Sequence, residues 1–509
     1  MGGETGFTND GESRKVIRTL GYNEQYELAQ YTLGFHRGVS TVCRYAVPPN
    51  ITIVKDVVYR ALARVVSDSP MLHTAIKDAE SKRPVWVQIA GVDLGQHVEW
   101  IEIDSSVQKE AVVQEKIRSE LDSKFVELSD RPGWRVVVLQ HADDKLLDVV
   151  FTWNHAHTDG MGGKIFHDKL LQYLDTETRS DAAIHMNADV KLDFTNTQER
   201  FPPATELFVD LSMSPGFLLQ QAWNEAKPIS LFPNPSAARW APIRRDSYRT
   251  KFRTCIVDNA TLSQVLEACR GHKTTLTALT HGLVLLSLAS QLDEDAARAF
   301  ASLTAIDQRR FLPSHPPKYP WLDPNTTMAN YVSNTSHEFD GAFVEQIRSC
   351  LGGQLPANRL STDQSNLVWS AASKVREDIH KRLSKGLKDD RLALMKFVTN
   401  ARALFEKEAR KPRALSWAIS NLGVMDGTAK GEASPVSEEG VWSIQRAQFT
   451  LSAHVPDAAL LIAAVSLRGG ELVITCTWQD TVVKDALADR LVGDLKRWLS
   501  HIGNPVSEV

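Results

Sequence analysis

One stretch constrains the architecture of this chain more than any other: Leu146-Leu147-Asp148-Val149-Val150-Phe151-Thr152-Trp153-Asn154-His155-Ala156-His157-Thr158-Asp159-Gly160-Met161-Gly162-Gly163. A mostly apolar run of β-branched and aromatic residues predicts a buried strand. It stops abruptly at a polar cluster, a glycine and a Gly-Gly pair. Beyond it, Ile165, Leu170 and Leu171 mark the buried side of an amphipathic helix over 164–174. Side chains at the end of a buried strand tend to converge on a cleft. His155 and Asp159, four residues apart at that point, give this stretch the densest catalytic potential in the sequence.

Two chemistries can use it, against the plain alternative of a loop with chance histidines. Read as His155-x-x-x-Asp159-Gly160, it is one imidazole with a carboxylate that holds the turn. Read as His155-x-His157-x-Asp159, it is a set of metal ligands at alternate positions. The metal reading resembles the loop of metallo-β-lactamase-like hydrolases, but Gly160 stands where the next histidine belongs and no downstream ligand series follows. The single-imidazole reading asks for less. A histidine is a competent base near neutral pH. A buried carboxylate needs a partner, so an arginine is expected beside Asp159. Gly160 allows a tight turn that a Cβ would obstruct.

At 509 residues the chain exceeds a single core of ordinary size, and two domains or lobes are expected. The net charge of −4 offers no bulk argument for nucleic acid or an anionic membrane. Basic runs such as Arg244-Arg245, Arg309-Arg310 and the region 407–413 are short, and the last reads as a solvated helix face or end. Five dispersed cysteines (Cys43, Cys255, Cys269, Cys350, Cys476) with no CxxC pair argue against a disulfide framework or thiolate zinc site. The start of the chain has no apolar signal region, and Gly6 breaks the myristoylation pattern. The longest apolar window, 276–292, is interrupted by His281 and Ser287. A soluble, cytoplasmic protein without membrane spans is expected.

In chain order, residues 1–20 read as a loose arm, 21–190 as a first lobe, 191–248 as a connection and 249–509 as a second lobe. The connection is marked by Pro202, Pro203, Pro215, Pro228, Pro233, Pro235 and Pro242. Within the first lobe, Val57, Ala61 and Val65 with Val58, Leu62 and Val66 form the stripe of a core helix. Trp134 to Gln140 should pair with 146–153 across Asp143-Asp144-Lys145. In the second lobe, Thr275 caps an apolar helix over 276–292, a strand over 299–306 runs into Asp307-Gln308-Arg309-Arg310, and helices fill 341–353, 366–385 and 389–409. Strands at 415–421, 441–451, 459–467 and 472–478 precede a closing helix at 482–499.

At this point a family resemblance becomes visible. Asn154-His155-Ala156-His157-Thr158-Asp159-Gly160 resembles the His-x-x-x-Asp-Gly motif of the chloramphenicol-acetyltransferase-like superfamily. That group includes condensation domains of peptide synthetases, plant BAHD acyltransferases and fungal alcohol acetyltransferases. Further parts follow in the same order. The helix over 275–292 is similar to the long helix of the second lobe, and Ala305-Ile306-Asp307-Gln308-Arg309-Arg310 to the strand-then-Arg motif. Tyr331-Val332-Ser333-Asn334-Thr335 is similar to a later motif ending in Asn-Thr. Ser420-Asn421-Leu422-Gly423 and the closing strand-strand-helix look most like the alcohol acetyltransferase branch. The resemblance spans about residues 20–500. Departures are informative. Asn154 replaces the first histidine of condensation domains, no Asp-Phe-Gly-Trp-Gly block of the BAHD branch occurs, and Leu72-His73-Thr74 lacks the arginine that would pair with Asp159. Arg309 or Arg310 is the expected substitute.

The resemblance implies an α/β fold of α+β type: two chloramphenicol-acetyltransferase-like lobes, each a mixed sheet with helices on one face, with an active-site channel between them. It implies an O-acyltransferase with His155 as general base, Asp159 and Arg309 structural at the site, and no bound cofactor. No carrier or adenylation region accompanies the chain, so acyl-CoA, in the form of acetyl-CoA, is the expected cosubstrate. A small-molecule alcohol or secondary metabolite is the acceptor, and the protein is taken as a monomer. Asn154, His157, Thr158 and Asn334 are expected along the channel, with Asn421 or Ser452 as oxyanion donors. Alternatives on the same fold are N-acyl transfer, a cyclase or a binding protein.

Overall fold

The computed structural model describes residues 15–104, 108–141, 145–179, 190–194, 200–227, 234–246, 248–352, 359–428 and 441–503. Most of the expected 1–20 arm, residues 143–144 of the hairpin turn, and Pro228 and Pro233 of the connection lie outside the described residues.

The strand leading to His155, Leu146–Asn154, lies in the middle of a five-stranded sheet. It pairs antiparallel with Gly38–Ala46 on one side and Trp134–His141 on the other. Val98–Ile103 runs parallel to Trp134–His141 beyond it. The period of two along the central strand divides its side chains between two cores. Val149, Phe151 and Trp153 join one cluster with Val58 and Leu62 of helix Val54–Ser67 and with Ile165 and Leu170 of helix Gly160–Thr178. Val150 joins Val113, Ile117 and Leu121 of helix Lys109–Asp122 on the opposite face. This sheet is therefore covered on both faces rather than one. That is why its central strand reads as an almost continuous apolar run instead of an alternating one.

The second sheet has six strands, in the order Thr250–Val257, Leu472–Gln479, Leu460–Leu467, Trp417–Met425, Phe300–Asp307, Val332–Phe339. Trp417–Met425 runs parallel to both its neighbours, and the remaining pairs are antiparallel. Helix Leu276–Gln291 packs against helices Thr362–Ser384 and Asp485–Gly503. It is buried through most of its length because its sequence is apolar on nearly every face. Its N-cap is Thr275, whose hydroxyl accepts the Ala278 N–H.

Two expectations along the chain are corrected. Residues 389–409 are not one helix: a 3₁₀ segment Arg391–Phe397 gives way to helix Ala401–Glu408, which restarts on the Asn400 side-chain cap. The strand Ser443–Leu451, read as part of the second lobe, instead forms the outer strand of the first sheet. It pairs antiparallel with Gly38–Ala46, Leu451 opposite Val39 and Ser443 opposite Ala46. Phe449 and Leu451 thereby enter the first core. No helix among the described residues is long and apolar enough to cross a membrane.

Several histidines are buried in this framework. Burial pushes His73 and His167 down to about 4 and His157 to about 3. In the unfolded chain such groups titrate near about 6.5. The folded state therefore binds fewer protons between that value and the depressed ones, so stability is complete above about pH 6.5 and falls as pH drops below it. The melting temperature is expected to decline steadily between about pH 6.5 and 4.5, above the range where ordinary carboxylates titrate. Thermal melts across that interval check this, and a flat profile would contradict it.

Candidate active site

The turn that follows the central strand is built from its own polar side chains. The Asn154 N–H donates to the Gly133 carbonyl at 2.8 Å. Its side-chain oxygen then accepts the Ala156 N–H at 2.9 Å, an Asx-type turn that reverses the chain at residues 155–157. Asp159 ends the turn as the N-cap of helix Gly160–Thr178 and accepts the Gly162 N–H at 2.9 Å. The helix thus begins at Gly160, four residues earlier than its apolar stripe suggests.

Asp159 is 2% exposed and is held from the other lobe. The Arg309 Nη1 donates to its Oδ2 at 2.6 Å, and the Tyr331 backbone N–H donates to the same oxygen at 2.8 Å. Arg309 is itself buried, and its remaining donors reach Asp307 Oδ1 at 3.2 Å, the Pro324 carbonyl at 2.9 Å and the Ala329 carbonyl at 2.9 Å. Burial opposes the guanidinium charge, but Asp159 and Asp307 outweigh it and hold the group's pKa above its ordinary value. Arg310, the other residue considered for this role, is exposed.

Gly160 has an ordinary backbone; what requires glycine there is space. A Cβ would lie 2.7 Å from Leu422 Cδ2 and 3.0 Å from Phe449 Cζ, both from the later part of the chain. The helix start is pressed directly against that wall.

His155 sits between these two anchors and lines a cavity of about 620 Å³ between the lobes. The Asn330 amide donates to the His155 carbonyl at 2.7 Å and approaches its Nδ1 at 3.4 Å. Asn330 is oriented in turn by Asn23 Nδ2, which also donates to the Val332 carbonyl at 2.5 Å. Two further imidazoles stand nearby. The His36 ring lies 5.8 Å from that of His155 and 4.0 Å from that of His454. Burial first, then the neighbouring His454 and His155, push the His36 pKa well below the usual histidine range, so this ring is neutral. His454 lines the same cavity as His155.

The other residues expected at the channel take different places. Asn334 does line the cavity. Asn154, His157 and Thr158 are at most 1% exposed and do not line it. Asn154 makes the turn; the His157 Nε2 accepts the Gly133 N–H at 3.0 Å, its ring edge-on to Trp86; the Thr158 hydroxyl donates to the Ala329 carbonyl at 3.3 Å. The alternation within the turn sends His155 outward and His157 inward, while Asp159 is engaged by Arg309. The ligand set His155-His157-Asp159 therefore does not converge on one point, and no cluster of metal-ligating side chains occurs among the described residues. Neither oxyanion candidate faces the cavity. The Asn421 amide donates to Thr277 Oγ1 at 3.1 Å and its oxygen accepts the Gly423 N–H at 2.8 Å. The Ser452 hydroxyl accepts the Arg37 N–H at 2.9 Å.

Sequence reasoning missed Asn23, Glu27, Gln30, His36, Asn330 and His454, all of which meet near His155. They come from segments that no spacing rule connects. Only the topology, which brings helix Tyr22–Thr32 and the loop after Leu451 to the end of the central strand, unites them.

Comparison with known proteins agrees with this architecture. The pattern of the alcohol acetyltransferase family matches residues 98–347. A curated relative, the probable alcohol acetyltransferase FCK4 of Fusarium pseudograminearum, is 26% identical over 502 residues, covering 96% of each chain. The chain is an acyltransferase similar in sequence to the alcohol acetyltransferases. Among solved structures, the TRI3 trichothecene 15-O-acetyltransferase of Fusarium sporotrichioides superposes with a TM-score of 0.69 at 13% identity over 97% of each chain. The first condensation domain of the CDA synthetase gives 0.59 at 12% identity over 96% of each. These two likenesses establish the shared two-lobed fold of this acyltransferase.

Removing Arg309 strands a buried carboxylate. Arg309→Ala is expected to lower stability by about 3–5 kcal/mol, read as a shift of the urea midpoint. Gly160→Ala is expected to cost about 1–3 kcal/mol by overpacking. That penalty should shrink in a Leu422→Ala background, where the obstructing methyl is gone; equal penalties in both backgrounds would contradict the packing account.

Proposed function

We propose that the chain transfers an acetyl group from acetyl-CoA to a hydroxyl of a small molecule of secondary metabolism, acting as a cytoplasmic monomer. In this reading His155 is the general base. It removes the acceptor hydroxyl proton as the oxygen forms its bond to the thioester carbonyl carbon. The tetrahedral adduct then collapses, the carbon–sulfur bond breaks, and the imidazolium returns the proton to the departing thiolate. The products are an ester and free thiol, and no acyl-enzyme is needed because both substrates meet in one cavity.

The observation that carries this reading is the contrast within the motif. His155 faces the inter-lobe cavity while Asp159, four residues on, is fully engaged by Arg309 and the Tyr331 N–H. One residue is available to a substrate and the other holds the loop. The relatives named above support the choice of an acetyl group and a hydroxyl acceptor: FCK4 is a probable alcohol acetyltransferase, and TRI3 a trichothecene 15-O-acetyltransferase. Asp159, Gly160 and Arg309 are positioning residues here, and Asn334 is a contact to the acceptor.

A thiol-release assay with acetyl-CoA and a panel of alcohols and amines tests this. His155→Ala is expected to lower turnover by about 10²–10⁴-fold with an unchanged melting temperature. Ester formation that survives in the variant removes His155 as the base. Thiol release with amines alone would redirect the reading to N-acyl transfer.

A further inference from the structure

The cavity wall contributed by helix Tyr22–Thr32 carries more hydrogen-bond acceptors than the donors around them satisfy. Glu27 and Gln30, three residues apart on one helix face, both line the cavity. Glu27 is 9% exposed and Gln30 is fully buried. Among the described residues no lysine or arginine pairs with Glu27. Its carboxylate receives the Gln30 Nε2 at 3.3 Å and lies 3.9 Å from the neutral His36 ring. The orientation of the Gln30 amide is set by that contact, because turning it would place oxygen against carboxylate. Its Oε1 is left buried without a partner. In the lining of the same cavity, the Asn334 Oδ1 is likewise buried and unpartnered.

A buried carboxylate with a single long amide contact and buried amide oxygens with none are costly unless something supplies the missing donors. We infer that the acceptor molecule carries a second N–H or O–H donor, remote from the hydroxyl that is acylated, and that Glu27 and Gln30 receive it. This rests on the acyl-transfer reading only for the first hydroxyl; the second contact is a matter of binding. The acceptor class is then a diol or amino alcohol on an apolar frame, not a simple monohydric alcohol. The apolar part lies against Leu303, Phe405, Ile419 and Leu461 of the same cavity. Glu27 and Gln30 are positioning residues that fix which hydroxyl reaches His155.

Direct binding tests this without relying on catalysis. The full chain, free of acyl donor, is titrated calorimetrically with the monol, the diol and the amino alcohol of one saturated steroid skeleton. The diol or the amino alcohol is expected to bind about tenfold or more tightly than the monol, the gain of a hydrogen bond to a charged group. A preference for the diol alone identifies a hydroxyl as the donor, and one for the amino alcohol identifies a protonated amine. In Glu27→Gln the ratio to the monol should collapse towards one, and in Gln30→Met it should shrink. Equal affinities for all three, absence of measurable binding by all three, or a ratio that persists in Glu27→Gln would overturn the inference. Thiol release measured on the same samples separates this outcome from failure of the acyl-transfer reading. A protein that binds the diol preferentially but releases no thiol would leave this inference standing and remove the other.

Discussion

The contact between Asp159 and Arg309 is the hinge on which the rest of the site depends. It is a buried, charge-assisted hydrogen bond between the two lobes, and both side chains are almost fully removed from water. Its cost in desolvation is met by saturation. The carboxylate also accepts the Tyr331 and Gly162 N–H groups, and the guanidinium reaches three backbone carbonyls and Asp307 besides. Because the Asp159 carboxylate also caps the helix after the turn, the pair fixes the turn's exit. Asn154 fixes its start. His155, between the two, has little freedom except in its ring.

The histidine-bearing turn is also a junction of two structural demands that the sequence satisfies with small residues. Gly160 lets Leu422 of the second sheet and Phe449 of the first sheet's outer strand come within contact of the helix start. Gly163 does the same for Trp153 and Thr41 on the inner side. A helix that opens Gly-Met-Gly-Gly is poor in intrinsic propensity. It is held by the Asp159 cap and by tertiary packing, and the site gains a close approach of two lobes that larger side chains would prevent.

How much of this was legible in the sequence follows from the range of each interaction. The central strand, the helix after it, the Thr275 cap and the paired-lobe architecture rest on local periodicity and on motifs read in order, and these are visible in one dimension. The need of Asp159 for an arginine was legible from the physics of burial, though not which of Arg309 and Arg310 meets it. The lining of the cavity was not. Adjacent residues 154–158 look alike as polar motif neighbours, yet the turn geometry sends His155 to the cavity and His157 to a niche beside Trp86 and Gly133. Ser452 and Asn421 looked like free hydrogen-bonding groups until the loop and bulge that occupy them were in view. Glu27 and Gln30 read simply as the polar face of a helix.

The strand Ser443–Leu451 has a consequence for how the protein comes into being. The first sheet draws Gly38–Ala46 from near one end of the chain and its outer neighbour from near the other. During synthesis the early segments emerge long before that partner exists, so Gly38–Ala46 presents an open edge to the surroundings until residue 451 has left the ribosome. Pairing so distant in sequence makes the closing step slow. The two lobes are therefore not separable modules in time: the first, though begun first, is closed only after much of the second has been made.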